Sequence, residues 1–300
     1  MDPLQNQPQF PPGYKPEPAA PAKKANPLSN WFRQPKIYVR LPSEGDFYPA
    51  GALDRSQTGE YAVYAMTARD ELMMKTPDAL LSGQSTVEVI KSCIPSIQDP
   101  WSMPSIDLDC ALLSIRIATY GEKMEVGVNC PNCGEENHYD VDLLAWLEKM
   151  KNFRYVQEIP SDPLVIYIRP YTYKEITKTS LKTFEQQRLI NIVNDQTIPD
   201  EEKIKQFGES FVKLTALTVD VIAECIWKIA SPDGETTDRA HIVEFINNVP
   251  KAIFDKISDH ITDMKKQIEL GNQNVKCAHC STDFEMPVEM DQSNFFAPRS

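Results

Sequence analysis

Two short runs constrain this chain more than anything else in it. VNCPNCGEENHYDVDL begins at Val128, and VKCAHCSTDFEMPVEMD begins at Val275. Each has a valine, one further residue, a Cys-x-x-Cys pair, a few polar residues and a strand-like tail ending on an acid. A tight turn lets both sulfurs of such a pair face one point. Two pairs then supply four thiolates, the tetrahedral set that zinc takes with Zn–S bonds of about 2.3 Å. Cys130, Cys133, Cys277 and Cys280 are therefore the expected ligands of one structural Zn2+ per chain. A strand enters and leaves each knuckle, which is the layout of a zinc ribbon. Ribbons separate their knuckles by about 15–20 residues; here the gap is far longer. The intervening chain reads as an insertion between two hairpins that share one ion.

Other uses of these cysteines fit less well. A disulfide in each knuckle suits an oxidising compartment, whereas MDPLQNQPQF lacks the basic start and apolar centre of a secretory signal. A redox Cys-x-x-Cys opens a helix inside a βαβ unit, and neither copy does so. A site shared between two chains stays open. Cys93, Cys110 and Cys225 fall within helical apolar patterns. Four cysteines close the coordination of zinc, while a catalytic zinc keeps a position for water, so the metal reads as structural. His138 and His279 adjoin the knuckles and read as exposed turn residues, with a substitute ligand or a hydrogen-bond donor as the alternative.

A hydrophobic content of 41% and a charged content of 25% are ordinary globular values. No apolar run approaches the roughly 20 residues that span a bilayer, so no membrane partner is expected. The net charge of −12 opposes general nucleic-acid binding, which needs clustered Lys and Arg. No Gly-rich phosphate loop, G-x-S-x-G elbow or H-E-x-x-H helix is present. Asp107 and Asp109 offer a pair of carboxylates, but they read more simply as charges near a helix N-terminus. The reading is non-enzymatic.

Nine of the 24 prolines lie in the first 35 residues. Such a stretch buries too little apolar surface to offset its conformational entropy, so 1–35 reads as a disordered arm, with Trp31 and Phe32 beginning the fold and a short docking motif as the alternative. Residues 36–120 read as a β element (KIYVRLPSEGDFYPAGAL and EYAVYAM) followed by helices. Thr67 is the expected N-cap of ARDELMMK, Thr76-Pro77-Asp78 restarts a helix that Gly83 stops, and further helices cover Thr86 to Cys93 and the residues from Ser105 to before Gly121. Residues 121–171 hold the first knuckle, the short helix LLAWLEKM, and strands at FRYVQEI and LVIYIRPY. Residues 172–271 read as a helical insertion, opened by the capping box of Thr172 and Glu175. Asp200 caps EEKIKQFGESFVKLTALTVDVIAECIWKIA, bent or divided around Thr215, and the loop SPDGETTD precedes two last helices. Residues 272–300 hold the second knuckle and a tail. The fold class is α+β, mainly helical with small β elements and a split four-cysteine zinc ribbon.

RLPSEGDFYPAG, followed by MTARDELMMKTPDALLSGQSTVEVIKSCI, resembles the baseplate hub subunit family of T-even-type contractile-tailed bacteriophages. CPNCGEENHYDVDL and LVIYIRPYTYKEI are similar to further stretches of that family, with some likeness to tail assembly chaperones. The resemblance runs from about Lys36 to the C-terminus and is most specific at ARDELMMKTPDALLSG. It implies a part in building the hub of a tail baseplate, through contacts with other hub or tail proteins, in the virion or in the host cytoplasm during assembly. It supplies no catalytic residues. The charged edge and methionines of the segment from Thr67 to Cys93, namely Arg69, Asp70, Glu71 and Met74, are the expected partner surface, since methionine suits adaptable contacts. Leu72, Leu80 and Leu81 are the expected core of that segment. The rival reading is a zinc-ribbon regulator that binds nucleic acid, which would need a basic, aromatic ribbon face; EENHYDVD and STDFEMPVEMD are acidic.

Overall fold

The computed structural model describes residues 26–28, 31–75, 83–180 and 199–288. Most of the proline-rich arm lies outside them, as do Leu80, Leu81 and the helix expected to restart at Thr76-Pro77-Asp78. The chain divides into two units, Met1–Gln34 and Pro35–Ser300. In the first, the Trp31 amide donates to the Leu28 carbonyl at 2.9 Å, closing a single turn. Trp31 and Phe32 do not begin a core: they are 85% and 55% exposed.

The second unit opens with β1 (Pro35–Val39), paired antiparallel with β2 (Tyr61–Tyr64). Alternation sends Val39, Tyr61 and Val63 inward. The loop between them, which carries RLPSEGDFYPAG, is folded around a buried carboxylate. Asp107 accepts the Ser43 amide at 2.8 Å and the Ser43 hydroxyl. The same hydroxyl accepts the Gly45 amide at 3.0 Å. Gly45 has φ +87, and a Cβ there would meet Leu53 Cδ2 at 3.2 Å, so both conformation and space call for glycine.

Asp107 sits on α3 (Ser105–Tyr120), which follows α1 (Ala68–Met74) and α2 (Gln84–Cys93). The sequence suggests one buried face for α3, with Ile106, Cys110, Leu113 and Ile117. The structure buries Leu108, Leu112 and Ile115 as well, so α3 is a central helix covered on all sides. Around it pack β1, β2, α2, α4 (Leu143–Lys151) and the inward residues of two hairpins, Met124 and Val141 from one, Met286 and Val288 from the other. Burial raises Asp107 to about 7, against the lowering effect of its bonds from the Ser43 hydroxyl and amide. An acid with a raised folded-state pKa contributes most stability below its unfolded value and loses that contribution as pH rises through about 7. Wild-type stability should therefore fall from about pH 4 to pH 7 relative to Asp107→Asn, measured by urea titration at each pH. Parallel curves for the two proteins would contradict this.

A second core follows the first knuckle. Strands β5 (Glu158–Ser161), β6 (Leu164–Ile168), β7 (Ile226–Ser231) and β8 (Gly234–Thr236) form one antiparallel sheet in that order. Ile159, Ile166, Ile168, Ile226 and Ile229 pack with Ile222, Ile242, Ile246 and Ile257 from α5 (Asp200–Cys225), α6 (Arg239–Asn248) and α7 (Lys251–Ile268). Tyr155 touches both cores. Several local expectations change here. α5 is one helix that ends at Cys225, and IWKIA is β7, because pairing with β6 buries Ile226 and Ile229. The N-cap of α5 is Pro199 rather than Asp200. The loop SPDGETTD contains the short strand β8, and FRYV is a connector that precedes β5. Among the described residues, the chain between the two knuckles thus holds a four-stranded sheet with helices, β5 and β6 of which precede the expected insertion 172–271, and the chain as a whole is α+β. Among the described residues, no helix is long and apolar enough to cross a membrane.

Candidate metal centre

The first knuckle caps the hairpin of β3 (Lys123–Asn129) and β4 (Glu136–Asp142), whose register runs from Lys123↔Asp142 to Asn129↔Glu136. The second caps the hairpin of β9 (Gln273–Lys276) and β10 (Asp283–Met286), from Gln273↔Met286 to Lys276↔Asp283. The two turns share one hydrogen-bond pattern. The Cys130 amide donates to the Glu135 carbonyl and the Gly134 amide to the Cys130 carbonyl, both at 2.9 Å. In the second, the Cys277 amide donates to the Thr282 carbonyl at 2.9 Å and the Ser281 amide to the Cys277 carbonyl at 3.0 Å. Gly134 and Ser281 hold the same place with φ of 76 and 60. That left-handed conformation is free for glycine and costs other residues about 1 kcal/mol, and a Cβ at Gly134 would meet nothing within 4 Å. Ser281→Gly should therefore raise stability, and Gly134→Ala lower it, each by about 1 kcal/mol in urea titrations. Loss of stability in Ser281→Gly would show that the serine side chain matters more than the backbone.

The hairpins bring all four expected sulfurs within 4.8 Å of one another. Cys130 Sγ lies 3.6 Å from Cys280 Sγ, and Cys133 Sγ lies 3.7 Å from Cys277 Sγ. Disulfide sulfurs stand about 2.05 Å apart, so no bond joins these cysteines. Four sulfurs at about 2.3 Å from a common centre are separated by about 3.8 Å. The observed spacing fits that tetrahedron, which is compatible with zinc. Cys130 and Cys277 are buried, Cys280 half-buried and Cys133 exposed, so the cluster closes inward and faces solvent at one corner.

Electrostatics agree with a cation-binding set. Hydrogen bonding with the side chain and backbone of Thr282 and with Asn132 lowers Cys280 to about 5. The Cys280 and His279 amides lower Cys277. Cys133 is also lowered by the Glu135 amide, but local desolvation and the other three thiols outweigh this and push it up to about 12. Without a cation, the sulfurs around Cys133 oppose its ionisation; a divalent ion removes that conflict. The histidines stand aside. His138 pairs through Nδ1 with Glu125 at 3.2 Å, and the His279 amide donates to Cys277 Sγ at 3.4 Å.

Sequence reading missed the polar side chains that join the hairpins. Asn137 Oδ1 accepts the Ala278 amide at 2.9 Å, Tyr139 Oη donates to the Lys276 carbonyl at 2.9 Å, and Asn132 Nδ2 donates to Thr282 Oγ1 at 3.2 Å. One signal was present. Asn137 shares the inward-facing period of β4 with Tyr139 and Val141, and an amide there demands a partner.

The expected partner surface on α1 is only partly a surface. Asp70 is buried, accepting the Thr67 amide at 2.7 Å and the Ser92 hydroxyl at 3.1 Å. Met74 belongs to the main core. Arg69 is exposed and Glu71 half-buried, while Leu72, expected in the core, is 68% exposed. The capping box of Thr67 and Asp70 rotates the helix so that positions 70 and 74, one turn apart, share the inner face. Asp107 is held by the loop it organises. Asp109, raised to about 7 by burial, lines a cavity of about 140 Å3 with Trp146, Met150, Ile268 and Glu269. That lining pairs no nucleophile with a base.

A family model described as T4 bacteriophage base plate protein matches residues 53–297. The match includes both knuckles and the whole insertion, and begins just beyond RLPSEGDFYPAG. No curated protein and no solved structure matches the chain. Covering most of the sequence, the match shows that this chain belongs to the T4 bacteriophage base plate protein family.

Proposed function

We propose that the chain is a non-enzymatic subunit or assembly factor of the tail baseplate hub, acting through contacts with other hub or tail proteins. The family match over residues 53–297 carries the baseplate role, and the resemblance of ARDELMMKTPDALLSG to hub subunits supports the hub. Cys130, Cys133, Cys277 and Cys280 hold one structural zinc, which makes the two hairpins a split zinc ribbon around the insertion. When bound, the ion links the hairpins and, with four thiolates, keeps no position for a reacting water. Contacts with partners include the exposed edge of α1 at Arg69 and Glu71. A nucleic-acid-binding ribbon is the poorer reading, because Glu125, Glu136, Asp140, Asp283 and Glu285 project from the hairpins and would repel phosphate.

Mass spectrometry of purified virions beside tail-assembly intermediates tests the role. Presence in both is expected of a structural subunit, and presence only in intermediates of an assembly factor. Absence from both would overturn the proposal.

A further inference from the structure

The two hairpins are separate two-stranded sheets with no ladder between them, so backbone pairing does not fix one against the other. A tetrathiolate site tolerates little misalignment, since a shift of one hairpin by a single residue carries two sulfurs out of reach. Side chains must set that alignment, and two amides span the knuckles: the exposed Asn132, which donates to Thr282 Oγ1 at 3.2 Å and Cys280 Sγ at 3.6 Å, and the buried Asn137. Asn137, 4% exposed, donates through Nδ2 to the Glu135 carbonyl at 2.9 Å. The same carbonyl accepts the Cys130 amide, so this bond braces the turn that carries the first pair. Through Oδ1, Asn137 accepts the amide of Ala278, the neighbour of Cys277, also at 2.9 Å. Tyr139 lies two residues along the same strand face. It bonds the Lys276 carbonyl just before the second pair and meets the Phe284 ring edge-on at a centroid distance of 6.3 Å.

We propose that Asn137 is the positioning residue of the metal centre. It locks the second knuckle onto the first through bonds that need no ion, so that the four sulfurs are set before the metal arrives. This rests on the reading of the cysteines as a metal site. The chemistry needs an amide of this length: Asp lacks the donor, Ser lacks one of the two arms, and Gln places the group one methylene too far. Tyr139 supports the same alignment from the next inward position of β4.

Cobalt(II) titration of the metal-free full-length chain, followed by zinc competition, tests this. Cobalt reports ligand set and geometry through its thiolate charge-transfer and ligand-field bands. Asn137→Ala should keep the four-thiolate spectrum yet bind zinc about tenfold to hundredfold more weakly than wild type, the usual cost of removing a hydrogen-bonding support beside metal ligands. Tyr139→Phe, which keeps the ring against Phe284, should weaken binding by a smaller factor. A purely structural role for Asn137 would lower the melting temperatures of the metal-free and metal-loaded protein equally, leaving affinity unchanged. Wild-type affinity in Asn137→Ala would therefore overturn the proposal. If Asn137→Ala fails to fold, unchanged zinc affinity in Tyr139→Phe would overturn the wider clasp. Absence of cobalt binding by the wild-type chain would refute the metal site itself, a result distinct from either.

Discussion

Cys277→Ser should destabilise the chain as severely as Cys130→Ser, although the two knuckles lie far apart in the sequence. An ion held by both knuckles closes a loop of 144 residues between Cys133 and Cys277. Treated as a cross-link on the unfolded chain, such closure stabilises the fold by about 5 kcal/mol. The apparent ~10–16 kcal/mol measured for zinc in small peptides is an upper bound here, because the hairpins also bury Met124, Val141, Met286 and Val288 in a core that exists without metal. A loss of about 5 kcal/mol corresponds to a fall in melting temperature of roughly 10–20 °C for a domain of this size class. Removing the ion with a chelator should reproduce most of that fall in the wild type and add little in either variant. A mild effect confined to one knuckle would show two independent sites.

Trp146→Ala should come next in size. Trp146 stands on α4 immediately after the first hairpin and is 3% exposed. Its Nε1 donates at 2.8 Å to the carbonyl of Ile268, the last residue of α7. Helix C-termini leave such carbonyls without partners, and this bond fixes the point where the insertion returns to deliver β9 and the second knuckle. Truncation removes a buried indole, a change that costs about 3–5 kcal/mol. Trp146→Phe keeps most of the packing and loses the bond, at about 1–3 kcal/mol. Chemical denaturation should rank the two in that order. Equal losses would assign the whole effect to the hydrogen bond, and no loss in Trp146→Ala would contradict the packing.

What could be read in the sequence was local. A Cys-x-x-Cys turn is defined within a few residues, and so are the N-cap at Thr67 and the capping box of Thr172 with Glu175, both of which form. The pairing of the cysteine knuckles was legible because their flanks repeat. What was not legible depended on distant chain. IAECIWKIA has an apolar pattern that suits either a helix or a strand, and the choice at Ile226 is made by β6, far earlier in the sequence. GET contains one residue of high strand propensity, and it becomes β8 only because the hairpin at Pro232 and Asp233 lays it beside β7. The same limit applied to α1. Its residue types mark Asp70 as a surface charge, yet Ser92 of α2 and the Thr67 cap draw it inside, and with it Met74. For Asn137, only the partner hairpin reveals its role.

Whether two distant hairpins hold one ion through four thiolates can be measured directly, by metal analysis of the purified chain combined with X-ray absorption at the metal edge. One zinc per chain is expected, with four sulfur neighbours at about 2.3 Å. No zinc, two ions per chain, or a nitrogen or oxygen neighbour in place of sulfur would contradict the shared site.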